Sequence, residues 1–72
     1  MFEVMNITLA DQKALKVHLK KVSEAVPQAE MRYDKKVNRY YICLGEYPTL
    51  ELAEQRAKEF RRKHVFAGVK VD

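Results

Sequence analysis

The sequence predicts an α+β domain in which a four-stranded antiparallel sheet carries two helices on one face, in the order β-α-β-β-α-β. The main observation is a β-rich run at 39–44 that stops at Gly45 and gives way to a charged helical run behind Thr49. A strand-like run that leads through Thr8 into an amphipathic stretch gives the first half of the chain the same order. Because each helix must bury its apolar side, we expect the two halves to share one sheet.

The composition is that of a folded chain. Of the 72 residues, 47% are hydrophobic and 33% are charged, which lies outside the low-hydrophobicity class that stays disordered. We therefore treat residues 1–72 as a single domain with a small core.

The first strand is predicted at residues 2–7, where apolar and polar side chains alternate loosely. Thr8 is the predicted N-cap of the first helix, because Asp11 follows it at the spacing of a capping box. The helix should end near Ala25, since Pro27 disfavours helical geometry in the residue before it. The apolar stripe of this helix comprises Leu15, Leu19 and Val22.

A hairpin and a second helix follow. Residues 28–33 and 39–44 are strand-like and are joined by the polar link 34–38, so they should pair antiparallel. Thr49 should cap the second helix, and residues 65–71 should form the last strand. Two right-handed crossovers then give the ferredoxin-like plan, with both helices on one face. The predicted buried stripe of the second helix comprises Ala53, Ala57 and Phe60.

The sheet face without helices, which we call the open face, is the predicted ligand-binding surface. Strand alternation places aromatic rings among cations there; rings can stack on sugars or bases while cations meet an anionic or hydroxyl-rich backbone. The alternative is that these residues are ordinary strand formers and solubilising charges. The open face is predicted to carry Met5, Glu30, Arg32, Arg39, Tyr41, Cys43, Phe66 and Lys70, and its ligand-binding candidates are Met5, Arg32, Arg39, Tyr41, Phe66 and Lys70.

The sequence lacks catalytic and metal-binding motifs. Cys43 is the only cysteine, which excludes an internal disulfide framework and a cysteine-based zinc pattern. His18 and His64 have no Asp, Glu or Cys partner at ligand spacing, and the only two glycines, Gly45 and Gly68, are too far apart for a P-loop. We therefore expect no enzyme activity, no metal and no cofactor.

The sequence also bears on compartment and partners. No uncharged apolar run approaches the ~18 residues of a membrane span, and residues 1–4 lack signal-peptide features. We expect a cytoplasmic protein without membrane insertion, or a periplasmic or cell-envelope one if the chain is a fragment of a longer exported protein. We expect a monomer or weak dimer, and the net charge of +4 favours nucleic acid, anionic polymers or acidic protein surfaces.

Four segments of the second half occur in a characteristic order. Leu44-Gly45-Glu46-Tyr47 ends a strand, Thr49 caps a helix that contains Leu52-Ala53-Glu54, and Phe66-Ala67-Gly68-Val69 forms a strand of mostly small residues. On these segments the chain resembles the sporulation-related repeat (SPOR) domain family over residues 40–71. The first strand diverges, since the family usually has a Gln where this chain has Val4 or Met5.

The resemblance implies a non-catalytic module that binds glycan strands of peptidoglycan through the open face. Family members prefer strands stripped of their stem peptides, which occur at cell-division sites. By this resemblance Met5, Arg39, Tyr41 and Phe66 would lie at the glycan.

Two other functions stay open. One is a small cytoplasmic protein-interaction or inhibitor protein, for example one encoded by a phage, that docks through a basic helix face or a sheet edge. The other is a nucleic-acid-binding domain, since ferredoxin-like sheets bind single-stranded RNA and residues 33–49 are similar to AP2-like sheets of some phage integrases. Residues 37–42 lack the Gly-aromatic core of the RNP1 signature, and this absence argues against RNA binding.

Overall fold

The computed structural model, which describes residues 1–71, confirms the predicted element order and the α+β fold. The sheet has four strands in the order β2-β3-β1-β4, and every neighbouring pair is antiparallel. The two central strands, β1 and β3, come from different halves of the chain. The elements are β1 (Phe2–Leu9), α1 (Gln12–Ala25), β2 (Glu30–Asp34), β3 (Arg39–Tyr47), α2 (Leu50–Arg62) and β4 (Gly68–Val71).

The predicted cap of the first helix is wrong by three residues. Asp11, not Thr8, is the N-cap, and its Oδ1 accepts a hydrogen bond from the Lys13 amide at 2.9 Å. Thr8 stays in β1, where it stands opposite Tyr41 and its hydroxyl donates to the Tyr40 carbonyl at 3.0 Å. The backbone of Thr8 is committed to the sheet, so the next good capping residue starts the helix.

The second helix begins as predicted. The Thr49 hydroxyl accepts a hydrogen bond from the Leu52 amide at 3.2 Å. The predicted end of the third strand at Gly45 is wrong, because β3 continues to Tyr47. Gly45 has φ +157° and stands opposite Val4, where the register shifts by one residue. L side chains rarely adopt this φ, and a Cβ there would also lie 2.8 Å from the Tyr47 hydroxyl oxygen, so the β-bulge favours glycine.

A second bulge lies in β1. Met5 pairs with Cys43 and Thr8 pairs with Tyr41, so two residues of β1, Asn6 and Ile7, stand opposite one residue of β3. Ile7 packs against the core, and the Asn6 side chain reaches His18 on α1. The bulge thus sends two successive side chains to the helix side of the sheet.

The core lies between the sheet and the helices, and it confirms the predicted stripes. Val4, Ile42 and Leu44 point inward from the central strands and are fully buried. The helices contribute Leu15 and Val22 from α1 and Ala53, Ala57 and Phe60 from α2.

The last strand is shorter than predicted, because it begins at Gly68 and not at residue 65. Val65 and Ala67 precede it and are buried in the core, whereas Phe66 between them is 68% exposed. Within residues 1–71, neither helix has the length and apolar character needed to cross a membrane.

Replacing Leu15 by Ala should lower the free energy of unfolding by about 3 kcal/mol, because the side chain is fully buried and the change leaves a cavity. Val17 lies on the same helix but is 65% exposed, so Val17→Ala is the matched control and should change stability by less than about 0.5 kcal/mol. Urea unfolding followed by circular dichroism measures both. Equal losses would contradict the assignment of the buried helix face.

Candidate functional site

The open face carries charged side chains from all four strands. Glu3 lies on β1, Arg32 on β2, Glu46 on β3 and Lys70 on β4. Together with Glu30, Asp34 and Tyr41 they form one connected set of ion pairs and hydrogen bonds, which we call the polar network.

Glu3 is the centre of the polar network and is only 4% exposed. Its Oε1 accepts hydrogen bonds from Arg32 Nη1 at 3.0 Å and from the Tyr41 hydroxyl at 2.7 Å. Lys70 Nζ lies 3.9 Å from the other carboxylate oxygen. A buried carboxylate is tolerated only with such partners. These three side chains therefore explain why a carboxylate can occupy this buried position.

Arg32 joins three carboxylates. The pairing of β1 with β3 puts Glu3 directly opposite Glu46, where two like charges repel each other. The Arg32 guanidinium contacts both, and its Nε also donates to Glu30 at 2.7 Å. The hydrogen bond to Glu46 raises the pKa of Arg32 further above its usual range, so the cation is permanent.

Side chains from the two edge strands meet over Tyr41. Strands β2 and β4 are three strand spacings apart, roughly 14 Å. Even so, Lys70 Nζ of β4 lies 3.6 Å from Asp34 Oδ2 of β2. The same ammonium group lies 5.2 Å from the centroid of the Tyr41 ring, within the range of a cation–π contact. The polar network therefore covers the middle of the open face with the protein's own side chains.

This arrangement corrects the predicted role of Tyr41 as an exposed stacking ring. The side chain is on the open face, but the residue is 5% exposed and its hydroxyl is bound to Glu3. Phe66 is also misplaced by the prediction, because it precedes β4 and borders a cleft beside α1. The structure thus leaves neither predicted ring available for stacking on this face.

The other predicted residues are found near their expected positions. Arg32 and Lys70 both belong to the polar network. Arg39 is exposed and stands opposite Asp34 at the end of the hairpin. Met5 is half-buried and stands opposite Cys43.

Three acidic members of the polar network were missed by sequence reasoning. Glu3 alternates with Phe2 and Val4, so strict alternation places it on the open face. Glu46 reaches this face because the bulge at Gly45 reverses the alternation, and glycine inside a strand pattern was the available signal. Asp34 had been assigned to the hairpin link, which hid its place at the end of β2.

The polar network is acidic although the protein is basic. It contains the four carboxylates of Glu3, Glu30, Asp34 and Glu46 but only the two cations of Arg32 and Lys70. The net charge of +4 therefore comes from other surfaces, mainly α1, the end of α2 and the hairpin link. Such a face attracts hydroxyl, amide and cationic groups and repels phosphates.

Cys43 is buried on the same face and is not a reactive thiol. It is 2% exposed, and its Sγ donates to the Gly45 carbonyl at 3.7 Å. Burial raises the pKa of Cys43 to about 11, which keeps the thiol protonated at neutral pH. Among residues 1–71, no three His, Cys, Asp or Glu side chains are placed to hold a metal ion.

Comparison with protein-family models, with curated proteins and with solved structures gave no significant match.

Arg32→Met should lower the free energy of unfolding by about 2 kcal/mol, because it leaves the buried Glu3 without one of its donors and opposite Glu46. Arg56→Met is the matched control. Within residues 1–71, Arg56 forms its ion pair with Glu59 on the exposed surface of α2, so its loss should lower the stability far less than the loss of Arg32. Chemical denaturation of both variants tests this, and a loss at Arg56 as large as at Arg32 would contradict it.

Stability should fall as the pH rises from about 10 to about 12. Burial and the hydrogen bond to Glu3 raise the pKa of Tyr41 to about 12, against about 10 in the unfolded chain. The folded state holds this proton more tightly in that interval. The stabilisation that comes from the protonated Tyr41 phenol is therefore complete below about pH 10 and is lost toward pH 12. In urea unfolding at several pH values, the free energy of unfolding of Tyr41→Phe should fall less steeply over the same interval than that of the wild type. Identical slopes for the two proteins would contradict the buried phenol.

Proposed function

We propose that this protein is a non-catalytic binding module, similar to SPOR domains, that recognises glycan strands of peptidoglycan through the open face. The observation that carries the proposal is a set of organised polar groups on a sheet face that no helix covers. Arg32 and Glu46 keep about a third of their side-chain surface, 34% and 35%, and Glu30 keeps 56%. They can therefore meet a ligand while the ion pairs hold them in place.

The chemistry of these groups suits the hydroxyl and amide groups of a glycan strand. Carboxylates accept hydrogen bonds from sugar hydroxyl and amide groups, and a guanidinium donates to hydroxyl and carbonyl oxygens. Hydrogen bonds with a charged partner are the stronger kind. Because the polar network already fixes Arg32, Glu30 and Glu46, little side-chain freedom is lost on binding. Glu3 and Lys70 act as positioning residues beneath them.

This mode of recognition differs from the stacking that the sequence predicted. With Tyr41 buried, the glycan would be held by hydrogen bonds at the β2 and β3 side of the open face. The same observation disfavours nucleic-acid binding at the open face, because bases would find no free ring there and phosphates would meet more carboxylates than cations.

The test is co-sedimentation of the purified protein with isolated peptidoglycan sacculi, both intact and stripped of stem peptides by an amidase. The wild type should sediment, with preference for stripped sacculi. The double variant Glu30→Gln, Glu46→Gln should bind about tenfold more weakly, because two charge-assisted hydrogen bonds are weakened. Thermal unfolding of the variant checks that it is folded.

The matched control is Glu51→Gln, Glu54→Gln, which makes the same charge change on the exposed surface of α2 and should leave binding unchanged. Equal binding by the two double variants would place the site elsewhere. In parallel with the co-sedimentation, the wild-type protein is titrated with single-stranded and duplex DNA. Binding to DNA alone, with a steep salt dependence, would support the nucleic-acid alternative. Binding to neither sacculi nor DNA would support the protein-interaction alternative.

A further inference from the structure

A second concave site lies on the opposite side of the sheet from the open face. It is a cleft of about 380 Å³ between the C-terminal half of α1 and the segment that links α2 to β4. Its volume falls in the range of about 300 to 1,000 Å³ that is typical of small-molecule sites. It shares no lining residue with the polar network, so it is independent of the proposed glycan site.

One wall of this cleft is fixed by the bulge in β1. Asn6 is 3% exposed, and its Nδ2 donates to the carbonyl of Phe66 while its Oδ1 lies 2.9 Å from His18 Nε2. A carbonyl can only accept, so the orientation of the Asn6 amide is determined. The nitrogen of His18 that faces Asn6 must then carry the proton and donate. These bonds join β1, α1 and the segment before β4 into one wall.

The cleft has a basic rim. Lys21 and His18 approach it from α1, and Lys63 and His64 approach it from the end of α2. Among the lining residues that the structure describes, none is acidic. Lys21 and Lys63 belong to none of the ion pairs within residues 1–71, although Lys63 adds to the larger effect of Arg56 in lowering the pKa of the nearby Glu59. Their charges are therefore available to an anion.

The rest of the cleft is apolar. Ile7, Val22 and Val65 line it, and the ring of Phe66 stands at its edge with 68% of its surface exposed. An exposed aromatic residue beside a concave apolar surface is favourable for covering a ligand. Apolar walls with a few convergent charged groups are the usual composition of a small-molecule site.

We propose that this cleft binds a small amphipathic carboxylate, with its apolar body against Phe66 and Val22 and its carboxylate between Lys21 and Lys63. The fit rests on charge complementarity with the two lysines and on the apolar lining of the cleft. The two imidazoles, His18 and His64, border the same anion position.

The experiment is a titration of the ¹⁵N-labelled full chain, followed by amide chemical shifts, with three probes: 4-phenylbutyrate, its neutral amide 4-phenylbutyramide, and butyrate. Phenylbutyrate should shift the amides of residues 18–25 and 63–67. It should bind at least about fivefold more tightly than the amide, which keeps the ring and loses the charge. It should also bind more tightly than butyrate, which keeps the charge and loses the ring.

Lys21→Gln, Lys63→Gln should remove the preference for the carboxylate over the amide. Lys35→Gln, Lys36→Gln is the control, because it makes the same charge change in the hairpin link and should keep the preference. Phe66→Ala should bring phenylbutyrate down to the affinity of butyrate. The proposal is overturned if phenylbutyrate does not bind, if amide and carboxylate bind equally, if the lysine variant keeps its preference, or if the shifts fall on the open face.

Discussion

The pairing of β1 with β3 is the constraint on which the rest of the structure depends. These central strands come from different halves of the chain, and their ladder is interrupted twice. The bulge at Gly45 reverses the alternation of β3 and brings Glu46 to the open face. The bulge at Asn6 and Ile7 sends two neighbouring side chains of β1 toward the helices. The candidate site on the open face depends on the bulge at Gly45, and the cleft depends on the bulge in β1.

The open face is an unusual use of charge in a small domain. A carboxylate at Glu3 is buried on a sheet side that no helix covers, and it faces a second carboxylate at Glu46. Arg32 makes this arrangement stable because its planar guanidinium contacts both acids. The edge strands complete the cover through Lys70 and Asp34. The sheet is therefore covered by ion-paired side chains on this side and by the apolar core on the other side.

The charges of the protein are divided between the two sides of one sheet. The polar network is acidic, whereas the rim of the cleft is basic, with Lys21 and Lys63 among its members. Strand β1 serves both sides, because Glu3 points to the open face and Asn6 points to the cleft. A single strand thus positions groups at both proposed sites, which share no residue of the cleft lining or the polar network.

The sequence by itself determined the element order, the Thr49 cap and the buried helix stripes, because capping and helical periodicity are local properties. It also placed Arg32 on the open face, since alternation within β2 is regular. Only the tertiary structure decided that Thr8 remains in a strand and that Tyr41 is buried. It also decided that Phe66 lines the cleft and does not lie on the open face. These outcomes depend on the register between distant strands and on the bulges within it. A bulge reverses every side chain beyond it, and strand pairing across the chain selects where it forms.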